Sequence, residues 1–213
     1  MTIRRGEEWG RAVPRPEGLV RVRSDSELRG LVSAARGAGT AIAPIAPVGG
    51  SLARTLGVTG ASTDPAGPST VMRELPVDIV RVELAGAHLW FVGHLIARRG
   101  WWRGPVVAAM NAQFLGRYDV APRSHPNDGR IDVLEVAASM SLGQRVQARR
   151  RLATGAHVPH PDIAERRAAR IELDFGRPLD VRLDGEVVAR AAGCRLEVEP
   201  DSLLVYVEAG QPG

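Results

Sequence analysis

Trp101 and Trp102 stand side by side among Arg98, Arg99 and Arg103. Indole rings suit the boundary between water and lipid, and guanidinium groups suit anionic headgroups, so this stretch could dip into a membrane surface. The same rings could instead cover a sheet or fill a junction between domains. His157 and His160 are three residues apart, with His88, His94 and His125 elsewhere. A zinc centre on that pair needs further ligands, and no cysteine or carboxylate stands at ligand spacing. Asp184-Gly185 is a strong two-residue hairpin signal, and Glu186 follows it. These carboxylates either frame a turn or line a cleft. Asn127-Asp128-Gly129 is a second polar turn leading into an alternating run at 131–136.

Composition removes several function classes. The 213 residues suffice for one large domain or two small ones. All 28 basic residues are arginine, so a Walker-type phosphate loop, which needs a lysine, is excluded. The net charge of +4 is spread among 24 acidic residues, and the longest basic run is Arg149-Arg150-Arg151. No nucleic-acid partner is expected from that pattern. Cys194 is the only cysteine, which precludes an internal disulfide and fits a reducing, cytoplasmic setting. The first eight residues have no apolar core of the kind a signal peptide carries. The densest apolar run, 89–97, is about half of the roughly 18 residues a membrane span needs, so contact with a bilayer would be peripheral.

These residues must be positioned by an α+β chain. Residues 19–22 alternate as a short strand. Ser24 or Asp25 can cap a helix over 26–35, with Leu28, Leu31, Val32 and Ala35 on one face and glycines at 37 and 39 to stop it. A strand over 40–45, a turn at 47–51 and a helix from 52 complete a β-α-β-α piece of open sheet. Residues 60–69, rich in Gly, Ser, Thr and Pro, mark a boundary, with a truncated α/β part over 1–62 and a β-rich part over 63–213. In the second part the period becomes two, at 77–84, 89–92, 131–136, 170–175, 179–183, 186–189, 195–199 and 203–207, with turns at Ala85-Gly86 and Pro200-Asp201. One helix intervenes. Ser141 caps it, Leu142, Val146 and Leu152 form its apolar line, and Arg145, Arg149 and Arg150 occupy its other face.

Several segments also resemble one family. Gly116-Arg117-Tyr118-Asp119-Val120-Ala121-Pro122, running into Asn127-Asp128-Gly129-Arg130-Ile131-Asp132-Val133, resembles the second-domain signature of the bacterial diacylglycerol kinase and YegS-like lipid kinases, a "GG…IAP" stretch followed by "DDGLLD". Gly155-Ala156-His157-Val158-Pro159-His160-Pro161 is similar to the family's "GxHxxHP" segment, and Leu183-Asp184-Gly185-Glu186 to its "LDGE" hairpin. The resemblance spans 19–208 and implies an NAD-kinase-like α/β part packed on a β-rich sandwich, with ATP and lipid in the cleft between them.

The implied reaction is ATP-dependent phosphorylation of a lipid hydroxyl with Mg²⁺. The resemblance puts the catalytic acid at Glu186, with Asp184 beside it, and a structural Mg²⁺ on Asn127, the Arg130 carbonyl and Asp132. The nucleotide loops depart from the family. "GGDGT" becomes Ser24-Asp25-Ser26-Glu27, keeping the aspartate and losing the glycines. "PLGTGNDFARTLG" becomes a shorter stretch from Pro47 through Gly49, Gly50 and Ser51 to Gly57, without its Asn-Asp pair. The family's first strand–helix unit is missing. Asp25, Gly49, Gly50 and Ser51 are therefore the expected nucleotide contacts of an impaired site. The alternative is a non-catalytic, lipid-binding or regulatory relative, without ATP or Mg²⁺, that pairs with an intact lipid kinase or a second copy of itself.

Overall fold

A computed structural model describes residues 9–58 and 71–208. The boundary expected between 62 and 63, and the loop expected over 60–69, lie outside the described residues.

The first part carries β1 (Arg11–Pro14), β2 (Val20–Val22), α1 (Asp25–Ala38), β3 (Ile45–Pro47) and α2 (Gly50–Thr55). Ser24 caps α1 by accepting the Glu27 N–H at 3.1 Å, and Gly39 ends it in the left-handed region at φ 64°. The strand expected over 40–45 is shorter and later, because the chain leaving Gly39 becomes extended enough to pair only from Ile45. β2 and β3 pair in parallel, and β3 adds to β13 through Ile45 and Val205.

The rest is antiparallel and β-rich, so the chain is α+β: a small α/β part joined to a sandwich-like sheet. Its strands are β4 (Val71–Leu84), β5 (Ala87–Phe91), β6 (His94–Arg98), β7 (Val106–Met110), β8 (Phe114–Leu115), β9 (Tyr118–Asp119), β10 (Ile131–Val136), β11 (Ile163–Ala168), β12 (Arg170–Leu183) and β13 (Glu186–Glu208). The main path runs β1-β4-β13-β12-β6-β7-β10-β11, with β5 on β4; β8 and β9 form a separate hairpin. Helix α3 (Leu142–Arg151) crosses between β10 and β11.

β4 shows how one strand serves two cores. Leu75, Val77 and Ile79 pack with Val22, Leu28 and Val32 of the first part. Val80, Val82 and Leu84 join the sandwich core with Phe91, Leu95, Ile131, Leu173 and Val181. Successive side chains of a strand point to opposite faces, so the change of parity moves the strand from one core to the other. Each such fully buried aliphatic or phenyl side chain contributes about 1.5–3 kcal/mol.

Two local expectations change. Pro200-Asp201 is not the end of a strand: β13 continues through it with a register shift between Glu199 and Leu203, and Asp201 takes φ 51°. On α3, Val146 and Leu152 are half-buried and Arg149 and Arg150 exposed as expected, but two positions differ. Leu142 is 60% exposed, whereas Arg145 is 5% exposed. Arg145 points inward because it holds four carbonyls, donating to Met140 (3.0 Å), Trp101 (3.1 Å), Gly104 (2.6 Å) and Ala137 (2.8 Å). A guanidinium with five N–H donors can satisfy that many acceptors, and the burial is offset by those bonds. No helix among the described residues is long and apolar enough to cross a membrane.

Candidate functional site

The first turn of α1 begins at Asp25, whose carboxylate reaches across to the start of α2. Its oxygens accept the N–H groups of Ser51 (2.7 Å) and Leu52 (3.0 Å). Gly49 and Gly50 allow that approach. A Cβ on Gly49 would lie 2.4 Å from the Arg23 carbonyl oxygen, and one on Gly50 would lie 2.5 Å from Asp25 Oδ1. Gly50 also takes φ +97°, a conformation costly for a side-chain-bearing residue. Next to it, Glu27 turns back and accepts the Arg23 N–H at 2.7 Å. The backbone donors that a phosphate would need are thus held by two of the chain's own carboxylates.

Asp184 meets this region from the other side. It occupies the first position of the β12–β13 hairpin at φ 49°, with Gly185 at φ 95°. Its carboxylate accepts the N–H groups of Val92 (3.0 Å), Gly93 (2.8 Å) and His94 (3.0 Å), closing the β5–β6 turn. Asn111 steadies the same turn, donating to the carbonyls of Val92 (2.8 Å) and Asp78 (2.9 Å). Gly93 fits between the two acids: a Cβ there would stand 3.1 Å from Asp184 Oδ1 and 3.2 Å from Asp25 Oδ2.

Ligand-capable atoms of Asp25, His94 and Asp184 lie within 4.8 Å of one another, and all three residues are buried. Burial, then the neighbouring Asp25 charge, pushes the Asp184 carboxyl up to about 7 against its three backbone donors. Burial pushes the His94 imidazole down, opposed by Asp25. The cluster therefore combines an acid near neutrality with an uncharged imidazole, groups able to exchange a proton or hold a cation. Glu186 is not part of it. Its side chain is 61% exposed and pairs with Arg29 of α1, whose own side chain is only 14% exposed.

The loop before β10 forms a second polar centre around Asp78. Asp78 accepts the N–H groups of Gly129 (2.7 Å) and Asp201 (3.0 Å) and the Asn127 amide (3.4 Å). Burial pushes its carboxyl up to about 6. Asn127 also donates to Asp201 at 2.9 Å. Arg167 pairs with Asp128 and stands 3.5 Å from Asp132, while the Arg130 N–H donates to Asp128 at 3.0 Å. Asn127 Oδ1 and Asp132 Oδ2 are buried without a hydrogen-bond partner. One orphaned oxygen in the loop and one on β10 are of the kind a hard cation takes, the chemistry expected of Asn127, Arg130 and Asp132.

Beneath α3 lies a chamber of about 510 Å³, lined by Val106, Ala108, Leu134, Met140, Ala148 and Leu152. Trp101 and Trp102 stand at its edge, 45% and 40% exposed. The Arg98 guanidinium lies 4.2 Å from the Trp101 ring, and Arg149 lies 5.3 Å from Trp102 while donating to the Tyr118 hydroxyl at 3.1 Å. A volume of this size with apolar walls suits a small lipid or acyl chain.

Of the expected residues, Asp25 and Asp184 come together in one cluster and Asn127 lies beside Asp78; His94, Asp78, Asn111 and Arg145 were not singled out from the sequence. His94 sits inside the apolar run 89–97, and a buried histidine after Gly93 is the signal that could have found it. Asp78 carried a similar sign, an acid between Val77 and Ile79.

Residues 79–207 match the family model described as the YegS C-terminal NAD kinase beta sandwich-like domain. The chain has no significant match among curated proteins. Among solved structures it is similar to a Bacillus anthracis str. Sterne protein named a "putative diacylglycerol kinase", at 17% identity and TM-score 0.64, over 90% of this chain and 78% of that one. A second B. anthracis structure, named a diacylglycerol kinase, is similar at 17% identity and TM-score 0.59, over 90% of this chain and 76% of that one. At such identities the structural likeness speaks for the fold, and the domain match supplies the family. The chain belongs to the diacylglycerol kinase and YegS-like lipid kinase family, and carries its C-terminal NAD kinase beta sandwich-like domain.

Proposed function

We propose that this protein is a non-catalytic member of its family that binds a lipid in the chamber beneath α3. The chamber carries the reading: its walls are apolar, and its edge presents two half-exposed tryptophans with arginines stacked on them. That edge suits peripheral contact with an anionic membrane, with an acyl chain inside and a headgroup near Arg149.

ATP does not fit the residues present. The donors at the head of α2 already serve Asp25, the loop before α1 is closed by Glu27, and both groups are negative where phosphates would come. Losing several charge-assisted contacts, each worth about 1.5–3 kcal/mol, moves a micromolar site toward millimolar. Glu186, engaged with Arg29 at the surface, is poorly placed to take a proton from a hydroxyl bound elsewhere. A structural Mg²⁺, if held by Asn127, the Arg130 carbonyl and Asp132, would brace the loop before β10 and supply no chemistry to the chamber.

The test is native mass spectrometry after incubation with a bacterial lipid extract. The expected result is one retained lipid per chain, lost in Ala148→Trp, which fills the chamber. Release of a phosphorylated lipid in the presence of Mg²⁺-ATP would overturn the proposal, as would wild-type protein that retains no lipid.

A further inference from the structure

Asp25, His94 and Asp184 come from three separate elements: the first turn of α1, the start of β6 and the β12–β13 turn. Asp25 and Asp184 are each 6% exposed and His94 is 5% exposed. Two carboxylates this close in a poorly hydrated site cannot both stay ionised unless a cation joins them; otherwise one holds a proton. Among the described residues no arginine pairs with either; their partners are the N–H groups of Ser51 and Leu52 for Asp25, and of Val92, Gly93 and His94 for Asp184. The His94 ring adds an independent sign. Its Nδ1 is buried with no hydrogen-bond partner, a state that normally costs a polar atom about 1–3 kcal/mol.

We propose that Asp25, His94 and Asp184 bind one divalent first-row transition-metal ion, of the zinc or manganese kind. An imidazole with two carboxylates is the mixed nitrogen–oxygen set such ions accept, and the nitrogen disfavours Mg²⁺ and Ca²⁺. Ligand bonds of about 2.0–2.2 Å place any two donors no more than about 4.4 Å apart. The donors here lie within 4.8 Å, so a small inward rotation of side chains completes the set. The surroundings resemble a built site. Five backbone N–H groups fix the two carboxylates, as outer partners do around metal ligands. Gly50 and Gly93 leave the carboxylates the space a side chain would take. With three protein ligands, water would complete the coordination. The ion would staple α1 and α2 to the sandwich. This site lies outside the lipid chamber and does not depend on lipid being bound.

The experiment is calorimetric titration of chelator-treated, tag-free full-length protein with ZnCl₂ and with MnCl₂, using MgCl₂ as the comparison ion. One equivalent of Zn²⁺ or Mn²⁺ should bind at micromolar concentration or tighter, raise the unfolding temperature and outcompete Mg²⁺. His94→Gln and Asp184→Asn should each weaken binding by about tenfold or more, whereas His157→Ala should leave it unchanged. If the variants fold poorly, wild-type protein loaded with Co²⁺ still decides, because four- or five-coordinate imidazole and carboxylate ligation gives visible bands far more intense than the weak absorption of aqueous Co²⁺. Absence of one-to-one binding up to millimolar metal, binding indifferent to both variants, or a Co²⁺ spectrum identical to the aqueous ion would overturn the proposal.

Discussion

At the head of α1 and α2, the chain's own carboxylates take up the backbone N–H groups that a phosphate would need. Beneath α3, the side chains stop short of one another and leave about 510 Å³. The two regions differ in what their polar atoms do. In the first, Asp25 and Glu27 close their loops by accepting backbone N–H groups. In the second, Arg145 of α3 lines the space and donates to four carbonyls around it. One region closes on its own hydrogen bonds, and the other keeps an apolar volume beside a buried arginine.

The contrast can be broken hardest at Arg145. Arg145→Ala strips partners from four carbonyls, and unsatisfied buried acceptors cost about 1–3 kcal/mol each before water enters. We expect destabilisation on the order of 3 kcal/mol or more by chemical denaturation, with loss of lipid retention. Arg145→Lys should recover little, since one ammonium cannot span the four positions.

A second test addresses Asp78 on β4, at the centre of the polar cluster before β10. The Asp78 carboxyl lies at about 6 in the folded chain against an ordinary 3.8. A raised folded value means that the folded state binds the proton more tightly. The stabilisation is complete below about pH 4 and is lost as pH rises through 6. The two-unit difference corresponds to at most about 3 kcal/mol. Thermal unfolding should therefore show this contribution falling between pH 4 and 7, and Asp78→Asn should flatten that part of the profile.

Smaller effects separate the regions further. Ala148→Trp should reduce lipid affinity by about tenfold or more, equivalent to about 1.4 kcal/mol, while far-ultraviolet circular dichroism stays native. Glu186→Ala should do least. A surface ion pair contributes about 0–1 kcal/mol, so stability should move within that range and lipid retention not at all. A large loss of lipid binding in Glu186→Ala would return that residue to a functional cleft.

Much of this fold can be read from residue order. The run 131–136 alternates and forms β10 over the same residues; Asp184-Gly185 forms a two-residue hairpin; Ser24 caps α1. β7 was missed because Val106–Met110 is buried on both faces and so does not alternate. β11 was missed because its arginines and glutamate at 165–167 are exposed at the end of the sheet path, where no burial pattern is imposed. Arg145 read as solvent-facing because a sequence shows charge but not the carbonyls that converge on it. The Asp25, His94 and Asp184 cluster escaped for a related reason. Its members are brought together by strand pairing and a hairpin, and no spacing along the chain records that.

The most direct measurement is calorimetric titration of the full chain with Mg²⁺-ATP. Closed loops predict no binding heat up to millimolar nucleotide, in wild type and in Glu27→Gln alike, because Asp25 continues to hold the α2 donors. Micromolar, one-to-one binding by the wild-type chain would contradict the account and restore a working phosphate site.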